Sequence, residues 1–381
     1  MNGSAGGFKV PRTDWCFGKI YTSECSAKIL LARFPFLRPY TVPLRFLTEY
    51  EIRGRSVWLI PANHCPGAAL FLFRTAEGRV LLHTGDFRFR QQILDDLRLC
   101  MPEKPSLQVD WLYLDNTFGT SDEAFPSQQV AYHQLSELIL SHRRRNPALK
   151  FFLYCYTLGK EEVFWNLAEQ FNTKVQMLKE RFDKTACCGL GQSHFITKQE
   201  HDMVRDGPIF IFVRNMRDLP KTAAEVEKTK DTIHIVLSGW KGQYNVRHPR
   251  YFKILYSSHS SPSELETWVK EVNPDNLVFL LDQKPDAHRQ SWQLRIQTKF
   301  TKRGQLATQC LEKGSPEAAL VKSAGSTQSK LNFKPSVAEP DNFQSETQEQ
   351  ARSNPVAAHY QFVEIDDILK DPSRRKRQVT G

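Results

Sequence analysis

The chain of 381 residues lacks several features that would assign its class at once. Its eight cysteines include no C-x-x-C pair, which argues against zinc-finger and thioredoxin-type sites. No apolar run approaches the ~18 residues that a membrane-spanning helix needs, so we expect no membrane partner. In a chain of this size, cysteines that sit in apolar runs are typical of reduced, buried thiols rather than of a disulfide framework.

The chain also has fewer acidic than basic residues. The chain has 52 Lys and Arg against 42 Asp and Glu, for a net charge of +10, of which +8 falls on residues 1–300. A basic folded body suits a polyanionic partner such as nucleic acid, although charge alone does not specify a fold. Hydrophobic residues make up 40% of the chain, which is enough for one large domain or two ordinary ones.

Two short motifs flank one predicted hairpin, PANHCPG at 61–67 and LHTGDFR at 82–88. The segment between them has a strand-turn-strand pattern, which returns the chain to the same edge of a sheet. We therefore predict that His64 and Asp86 face one another, as half of a divalent-metal site. A lone histidine or a lone Thr-Gly-Asp turn is usually structural, so the prediction depends on the pair.

A second pattern joins an apolar strand, predicted at 150–156, to a helix that begins near Glu161. The connection is Thr157-Leu158-Gly159-Lys160. A glycine turn that leads into a helix N-terminus is a natural phosphate-binding site, because free N–H groups and the helix dipole attract anions. We predict that Thr157, Gly159 and Lys160 contribute to such a site.

A third pattern places a serine-rich loop with His259 at its centre before a helix predicted at 262–272, which has proline at its first turn. The amides at that helix start and the hydroxyls of Ser258, Ser260 and Ser261 are candidate phosphate ligands. The competing interpretation is a helix-capping serine run with a bystander histidine.

Other segments give simpler expectations. The patterns predict a strand at 15–21, a helix at 23–33 with Ser23 as N-cap, and a long helix at 126–145. Residues 172–250 are predicted to alternate short strands with loops, apart from a polar, exposed helix at 217–230.

These motifs, with Tyr113-Leu114-Asp115-Asn116-Thr117 between the first two patterns, resemble in order the Apollo/Artemis family of DNA cross-link repair nucleases, and Apollo more than Artemis. The resemblance covers roughly residues 15–285 of the chain. It implies an α/β fold, an αββα metallo-β-lactamase-like sandwich with an inserted α/β β-CASP domain. The implied domains are a core at 8–118, the insert at 119–250, and a return to the core at 251–300.

The resemblance also implies a function and a site. The implied activity is zinc-assisted, 5′-to-3′ exonucleolytic hydrolysis of DNA ends that carry a 5′-phosphate, in interstrand cross-link and double-strand-break repair. His64, Asp86 and His259 are the implied metal ligands, with Asp86 as the bridging ligand. Asp86 and Asp115 are the implied catalytic carboxylates. The implied partner is therefore DNA, and the implied location is the nucleus.

The sequence departs from the family at one point. Family members carry a His-x-His-x-Asp-His segment that supplies most ligands of a two-metal centre, whereas none of the eleven histidines here precedes His64. We therefore expect an N-terminally incomplete core, weak metal binding and impaired cleavage. Two explanations stay open: an incomplete product of a longer gene, or a protein that has lost metal catalysis and kept its binding surfaces.

Residues 301–381 are rich in Ser, Gln, Lys, Glu and Pro, which predicts a disordered tail. Within this segment, Tyr360–Leu369 is a short amphipathic stretch that could bind a protein partner, and Arg374-Arg375-Lys376-Arg377 is typical of a nuclear-import signal.

Three rival functions remain open from the sequence. One is a non-catalytic protein of the same fold that binds DNA ends or acts as a scaffold. Another is an RNA-processing β-CASP endonuclease. The third is a hydrolase of small molecules, which would not explain the positive charge of residues 1–300.

Overall fold

The structure is a computed structural model, which describes residues 15, 18–103, 107–119, 125–191, 193–201, 209–240, 243–281, 287–301 and 304–305. Apart from residues 301, 304 and 305, the predicted tail lies outside the described residues, as do its amphipathic stretch and its basic signal. The helices and strands follow the chain in this order: β1 (Ile20–Ser23), α1 (Glu24–Arg33), β2 (Thr41–Leu44), β3 (Tyr50–Ile52), β4 (Arg55–Pro61), β5 (Ala69–Arg74), β6 (Val80–His83), α2 (Gln91–Cys100), β7 (Trp111–Leu114), α3 (Gln128–Arg145), β8 (Lys150–Cys155), α4 (Glu161–Gln170), β9 (Val175–Gln176), α5 (Lys179–Cys187), β10 (Phe195–Ile196), α6 (Lys198–His201), β11 (Ile211–Asn215), α7 (Ala223–Glu227), β12 (Thr232–Leu237), β13 (Tyr251–Ile254), α8 (Pro262–Val272), β14 (Asn276–Phe279) and α9 (Ala287–Phe300).

The first sheet has the strand order β14-β7-β6-β5-β4-β3. Strands β3 to β6 form an antiparallel meander, and β6, β7 and β14 run parallel to one another. The carboxyl ends of β4, β6, β7 and β14 therefore lie at one edge of the sheet. The apolar face of this sheet packs on α2, α8 and α9 through Ile93, Leu97, Trp268, Val269 and Ile296.

The second sheet has the order β10-β9-β11-β8-β12-β13, and all its strand pairs are parallel. Strand β12, which lies between β8 and β13, is buried along its whole length, as expected for a parallel sheet that is covered on both faces. In such sheets the loops beyond the carboxyl ends of the strands are the usual position of a binding site. The loops after β8, β12 and β13 carry Lys160, Trp240 and His259.

Several sequence predictions match these elements. The mixed α/β class is confirmed, as are the hairpin of β5 and β6, helix α8, and helix α1 with Ser23 as its N-cap. The strand predicted at 15–21 is in fact Ile20–Ser23. The helix predicted at 217–230 is only a 3₁₀ turn and the five-residue α7, which turns Val226 into the core. The structure places β13 in the second sheet, so the chain returns to the first sheet only with β14.

The expectation of uniformly reduced thiols is wrong for one pair. Cys25 in α1 and Cys188 after α5 form a disulfide, with their Cα atoms 4.7 Å apart. The sequence predicted neither α5 nor its packing beside α1, so the two cysteines could not be paired in advance. Among the described residues, no helix combines the length and the apolar character needed to cross a bilayer.

Candidate metal and phosphate site

Three potential metal ligands converge where the carboxyl ends of strands from both sheets meet. His64 follows β4, Asp86 follows β6, and His259 follows β13. One ligand atom from each residue lies within 4.8 Å of the other two. His64 Nε2 is 3.8 Å from Asp86 Oδ2, and the two imidazole rings are 4.7 Å apart between centroids. The predicted pairing of His64 and Asp86 therefore exists, and His259 completes the group.

Hydrogen bonds fix which nitrogen each histidine offers. His64 Nδ1–H donates to the Ser258 carbonyl at 3.0 Å, and His259 Nδ1–H donates to Asp115 Oδ2 at 2.7 Å. Each ring therefore keeps the lone pair on Nε2 for a ligand. A metal-binding histidine is usually oriented in this way, by a carbonyl or carboxylate that accepts from its other nitrogen.

The electrostatics favour the same protonation states. Burial, and then the neighbouring His259, lower the pKa of His64, so its imidazole is neutral at physiological pH. Burial alone would raise the pKa of Asp115, but the hydrogen bond and charge of His259 and the bonds from Thr117 outweigh it and hold the pKa below its ordinary value. Asp115 is thus an ionised acceptor that positions His259, and it is only 3% exposed.

This donor set fits one divalent metal ion. Two imidazole nitrogens and one carboxylate oxygen are typical zinc donors, and ligand atoms in a tetrahedral zinc site lie roughly 3.4 Å apart. The side chain of Asp86 is 58% exposed, so the open positions of such an ion would face solvent. Within the described residues, three donors converge here, which is too few for two ions.

The loop that carries His64 rests on helix α1. The hydroxyls of Ser23 and Ser26 both donate to the Gly67 carbonyl, at 2.7 and 3.1 Å. Gly67 has a φ of +83°, and a Cβ there would lie 2.6 Å from Ser26 Oγ. Only glycine allows this approach without strain. Asn63 at φ +52° completes the turn and donates from its amide to the Arg88 carbonyl.

The loop that carries His259 is held by a buried arginine. The guanidinium of Arg88 donates to the carbonyls of Ser257 at 2.8 Å and Pro126 at 3.0 Å, and to Glu264 at 3.1 Å. Arg88 is only 2% exposed, and its donors match the fixed geometry of these acceptors. The sequence motif included Arg88 but gave no indication of this positioning role.

Two predicted phosphate ligands are used inside the protein. The Ser260 hydroxyl accepts from the Phe89 N–H at 3.0 Å and also contacts the Phe87 carbonyl at 3.3 Å. The Ser261 hydroxyl accepts from the Glu264 N–H, while the Glu264 carboxylate accepts from the Ser261 N–H, which is a capping box. Both serines therefore hold the His259 loop and the start of α8. The Ser258 carbonyl binds His64, and its side chain is half-buried.

The predicted phosphate-binding loop, residues 156–160, joins β8 to α4. Gly159 and Lys160 have φ values of +101° and +68°, so the backbone turns sharply before the helix starts. The Lys160 Nζ lies 5.7 Å from the centre of the Tyr256 ring, and burial lowers its pKa. The Gly159 N–H donates to Glu161 Oε1 at 3.1 Å, so this amide is not available to a ligand. Thr157 is half-buried on the same loop.

A buried ion pair supports this loop from below. The guanidinium of Arg181 in α5 donates to Glu161 and to the carbonyls of Tyr156 and Gly159. The two charged side chains are 4% and 3% exposed. Sequence analysis missed Arg181, because its segment was predicted as strands and loops. The only signal in the sequence was indirect. Glu161 stands in the first turn of a predicted helix, and a glutamate that is buried there needs a cationic partner.

The two halves of the site are close neighbours. A Cβ at Gly159 would lie 3.5 Å from the Cβ of Cys65 and 3.6 Å from the His64 carbonyl, which is van der Waals distance. Burial, then Glu161 and Asp86, raise the pKa of Cys65 to about 12, so its thiol stays protonated and is a poor nucleophile. The Lys160 loop therefore adjoins the loop that carries His64.

Fold and site together define an α/β protein in which a candidate metal site lies beside a candidate anion-binding helix start. No protein-family model matches the chain. Curated proteins do. It is 31% identical to the 5′ exonuclease Apollo of Danio rerio over 277 residues, which are 70% of this chain and 45% of that protein. It is 28% identical to the DNA cross-link repair protein SNM1 of Arabidopsis thaliana over 290 residues, 69% of this chain and 56% of that protein.

The human DNA cross-link repair 1A protein is 27% identical over 285 residues, 68% of this chain and 26% of that protein. These curated homologues, at about 30% identity over about 70% of the chain, are members of the DNA cross-link repair nuclease family, which includes Apollo and SNM1. It spans about half the length of the Apollo relatives it matches. A crystal structure of a protein of unknown function from Enterococcus faecalis V583 aligns at 16% identity over 68% of this chain and 69% of that chain, with a TM-score of 0.47, too distant a likeness to carry an argument.

Proposed function

We propose that this chain binds DNA ends that carry a 5′-phosphate and acts in the nucleus, in interstrand cross-link and double-strand-break repair. The observation that carries the proposal is the close approach of the Lys160 loop to the loop that carries His64 of the His64–Asp86–His259 cluster. A phosphate bound at Lys160 would lie next to the metal ligands. The net charge of +10 and the repair nucleases among the relatives support a DNA partner.

The proposed architecture is a metallo-β-lactamase sandwich with a β-CASP insert. Two separate sheets with separate cores support it, since the first sheet contains β3 to β7 and then β14, while β8 to β13 form the second. The second sheet is thus inserted between two strands of the first. In this architecture the groove between the sheets would receive the DNA strand.

The proposed chemistry is 5′-to-3′ hydrolysis of phosphodiester bonds. His64, Asp86 and His259 would hold a zinc ion, which would supply Lewis-acid activation of the phosphate when bound. The chain's own residues prepare the site: Asp115 holds His259 in the required tautomer, and Lys160 neutralises a terminal phosphate. Because three protein donors converge among the described residues instead of a two-metal set, we propose that this chain cleaves DNA weakly or not at all.

Binding of a single-stranded DNA oligonucleotide, with and without a 5′-phosphate, tests the proposal. Lys160→Gln should abolish the preference for the phosphorylated oligonucleotide, a loss of roughly tenfold or more, because a charge-assisted contact is removed. Lys179→Gln is a matched control, since Lys179 is exposed and pairs with Asp183 on the surface of α5. Fluorescence anisotropy measures both. Equal binding of the two oligonucleotides by the unmodified protein would contradict the proposal.

A nuclease assay in the presence of zinc separates the rival functions. We expect little cleavage of the 5′-phosphorylated DNA that the protein binds. This result favours a DNA-end-binding protein of the nuclease fold, in keeping with three converging donors. Rapid trimming from the 5′ end, with two zinc ions per chain, would show that the site is complete. Preferential internal cleavage of RNA would instead favour an RNA-processing endonuclease.

A further inference from the structure

An exposed tryptophan stands at the rim of the site and has no role in the chemistry above. Trp240 follows β12, and 39% of it is exposed. Its ring packs on the buried ring of Phe118, 4.6 Å away between centroids. The Phe118 ring in turn packs on Phe125 at 4.7 Å and lies 6.0 Å from the imidazole of His259. A continuous set of aromatic rings therefore leads from the candidate metal ligand to the surface.

The position of Trp240 is set by close backbone packing. A Cβ at Gly239 would lie 3.0 Å from Phe118 Cζ and 3.0 Å from Ser257 Cβ, so the backbone here passes close to both side chains. Ser257 is itself fixed to His259, because its hydroxyl accepts from the His259 N–H at 3.0 Å and donates to the His259 carbonyl at 2.7 Å. The Trp240 N–H donates to Ser238 Oγ at 3.2 Å. The loop that carries Trp240 is thus held beside the loop that carries His259.

We propose that the outer face of Trp240 is a stacking platform for a base of single-stranded DNA near the bound 5′ end. This inference rests on the proposed function, which brings the strand to the site. Every base has a π-face, so an aromatic ring binds a strand without reading its sequence. A base within a duplex is already stacked on both sides, so the platform gives preference to single-stranded or frayed ends.

Trp240 differs from other exposed apolar side chains because a buried aromatic ring supports it. Phe118 is 6% exposed and fills the space behind the indole, so the ring is ordered before a ligand arrives. A preorganised ring loses little conformational freedom on binding. Leu99 and Leu294, at 66% exposure each, lie on the helices α2 and α9 and offer no comparable aromatic support.

The test compares Trp240→Ala with Trp240→Phe in binding to a 5′-phosphorylated single-stranded oligonucleotide, and to the same oligonucleotide with abasic residues at its first three positions. We expect Trp240→Ala to weaken binding by roughly 5- to 150-fold, the usual effect of removing one stacked base. Trp240→Phe should retain most of the affinity. The abasic oligonucleotide should bind the unmodified protein more weakly, with no further loss in Trp240→Ala. Leu99→Ala is the control for an exposed apolar side chain.

Several results would overturn the inference. One is Trp240→Ala binding as tightly as the unmodified protein. Another is an equal loss on normal and abasic oligonucleotides, which would assign Trp240 to the support of the His259 loop or to a protein partner. If Trp240→Ala does not fold, the quenching of tryptophan fluorescence by the oligonucleotide is compared between the unmodified protein and Trp240→Phe, since a stacked base quenches the indole. Equal quenching in the two proteins would overturn the inference. A 5′-phosphate preference that depends on Lys160 but not on Trp240 removes only this inference. Failure to bind single-stranded DNA at all removes the proposed function as well.

Discussion

The metal cluster and the Lys160 loop lie side by side but are built in opposite ways. The cluster depends on side chains that project from separate loops, and Asp86 is 58% exposed. The Lys160 loop depends on its backbone, which a buried ion pair between α4 and α5 holds from within the core. Damage to the first should change ligand binding and leave folding intact. Damage to the ion pair that supports the second should reduce the stability of the protein.

The largest effect is expected from Arg181→Met. This change leaves Glu161 buried without its partner, and a broken buried ion pair costs about 3–5 kcal/mol of the free energy of unfolding. Urea denaturation measures it. The double variant Arg181→Met/Glu161→Gln should recover much of the loss, because no unpaired charge stays buried. Exposed ion pairs usually contribute less than about 1 kcal/mol to the free energy of unfolding. A loss this small in Arg181→Met would show that the Lys160 loop does not depend on a buried ion pair, in contradiction to the difference described between the two halves.

Asp115→Asn should act on the metal half. The amide N–H₂ would face His259 Nδ1 and favour the tautomer with the proton on Nε2, the nitrogen that must bind the metal. Loss of an orienting partner of this kind typically lowers metal affinity 10- to 100-fold. Zinc titration by calorimetry measures the change, with the exposed Asp95→Asn as control. Unchanged zinc affinity would mean that Asp115 does not orient the ligand.

The pH dependence of stability probes the second sheet, on which the Lys160 loop is built. His234 is 1% exposed and bonds to the Tyr154 hydroxyl at 2.8 Å and the Thr229 hydroxyl at 2.7 Å. Burial, and then Arg250 and His248, lower its pKa to about 4. The unfolded chain, with an ordinary histidine pKa near 6.5, therefore binds more protons between pH 6.5 and pH 4, and stability falls as the pH is lowered through this range.

For His234 alone, the loss between pH 7.5 and pH 5 should be about 2 kcal/mol. His234→Gln keeps one donor and one acceptor, and should flatten the dependence measured by urea denaturation at the two values. Burial also lowers the pKa of His83 and is the largest cause of the lowered pKa of His64, so part of the slope should remain. The exposed His133→Asn is the control. An identical slope in His234→Gln would show that this histidine does not titrate differently on folding.

Features that depend on residues close together in sequence could be predicted, whereas features that depend on packing between distant segments could not. His64 and Asp86 could be paired, because a short hairpin brings its two ends together. Helix α8 and its proline start were readable from sequence for the same reason. Arg181 could not be assigned, because its role exists only once α5 packs beneath the β8–α4 turn. The internal hydrogen bonds of the Ser260 and Ser261 hydroxyls could not be predicted, because their partners belong to the β6–α2 loop and to α8.

The proposed site requires that His64, Asp86 and His259 bind one divalent ion together. Calorimetric titration of the unmodified protein and of His259→Ala with zinc tests this directly. We expect one zinc ion per chain, with at least tenfold weaker binding in His259→Ala and no change in the urea midpoint comparable with that of Arg181→Met. No zinc binding by the unmodified protein, or the same affinity in both proteins, would contradict it.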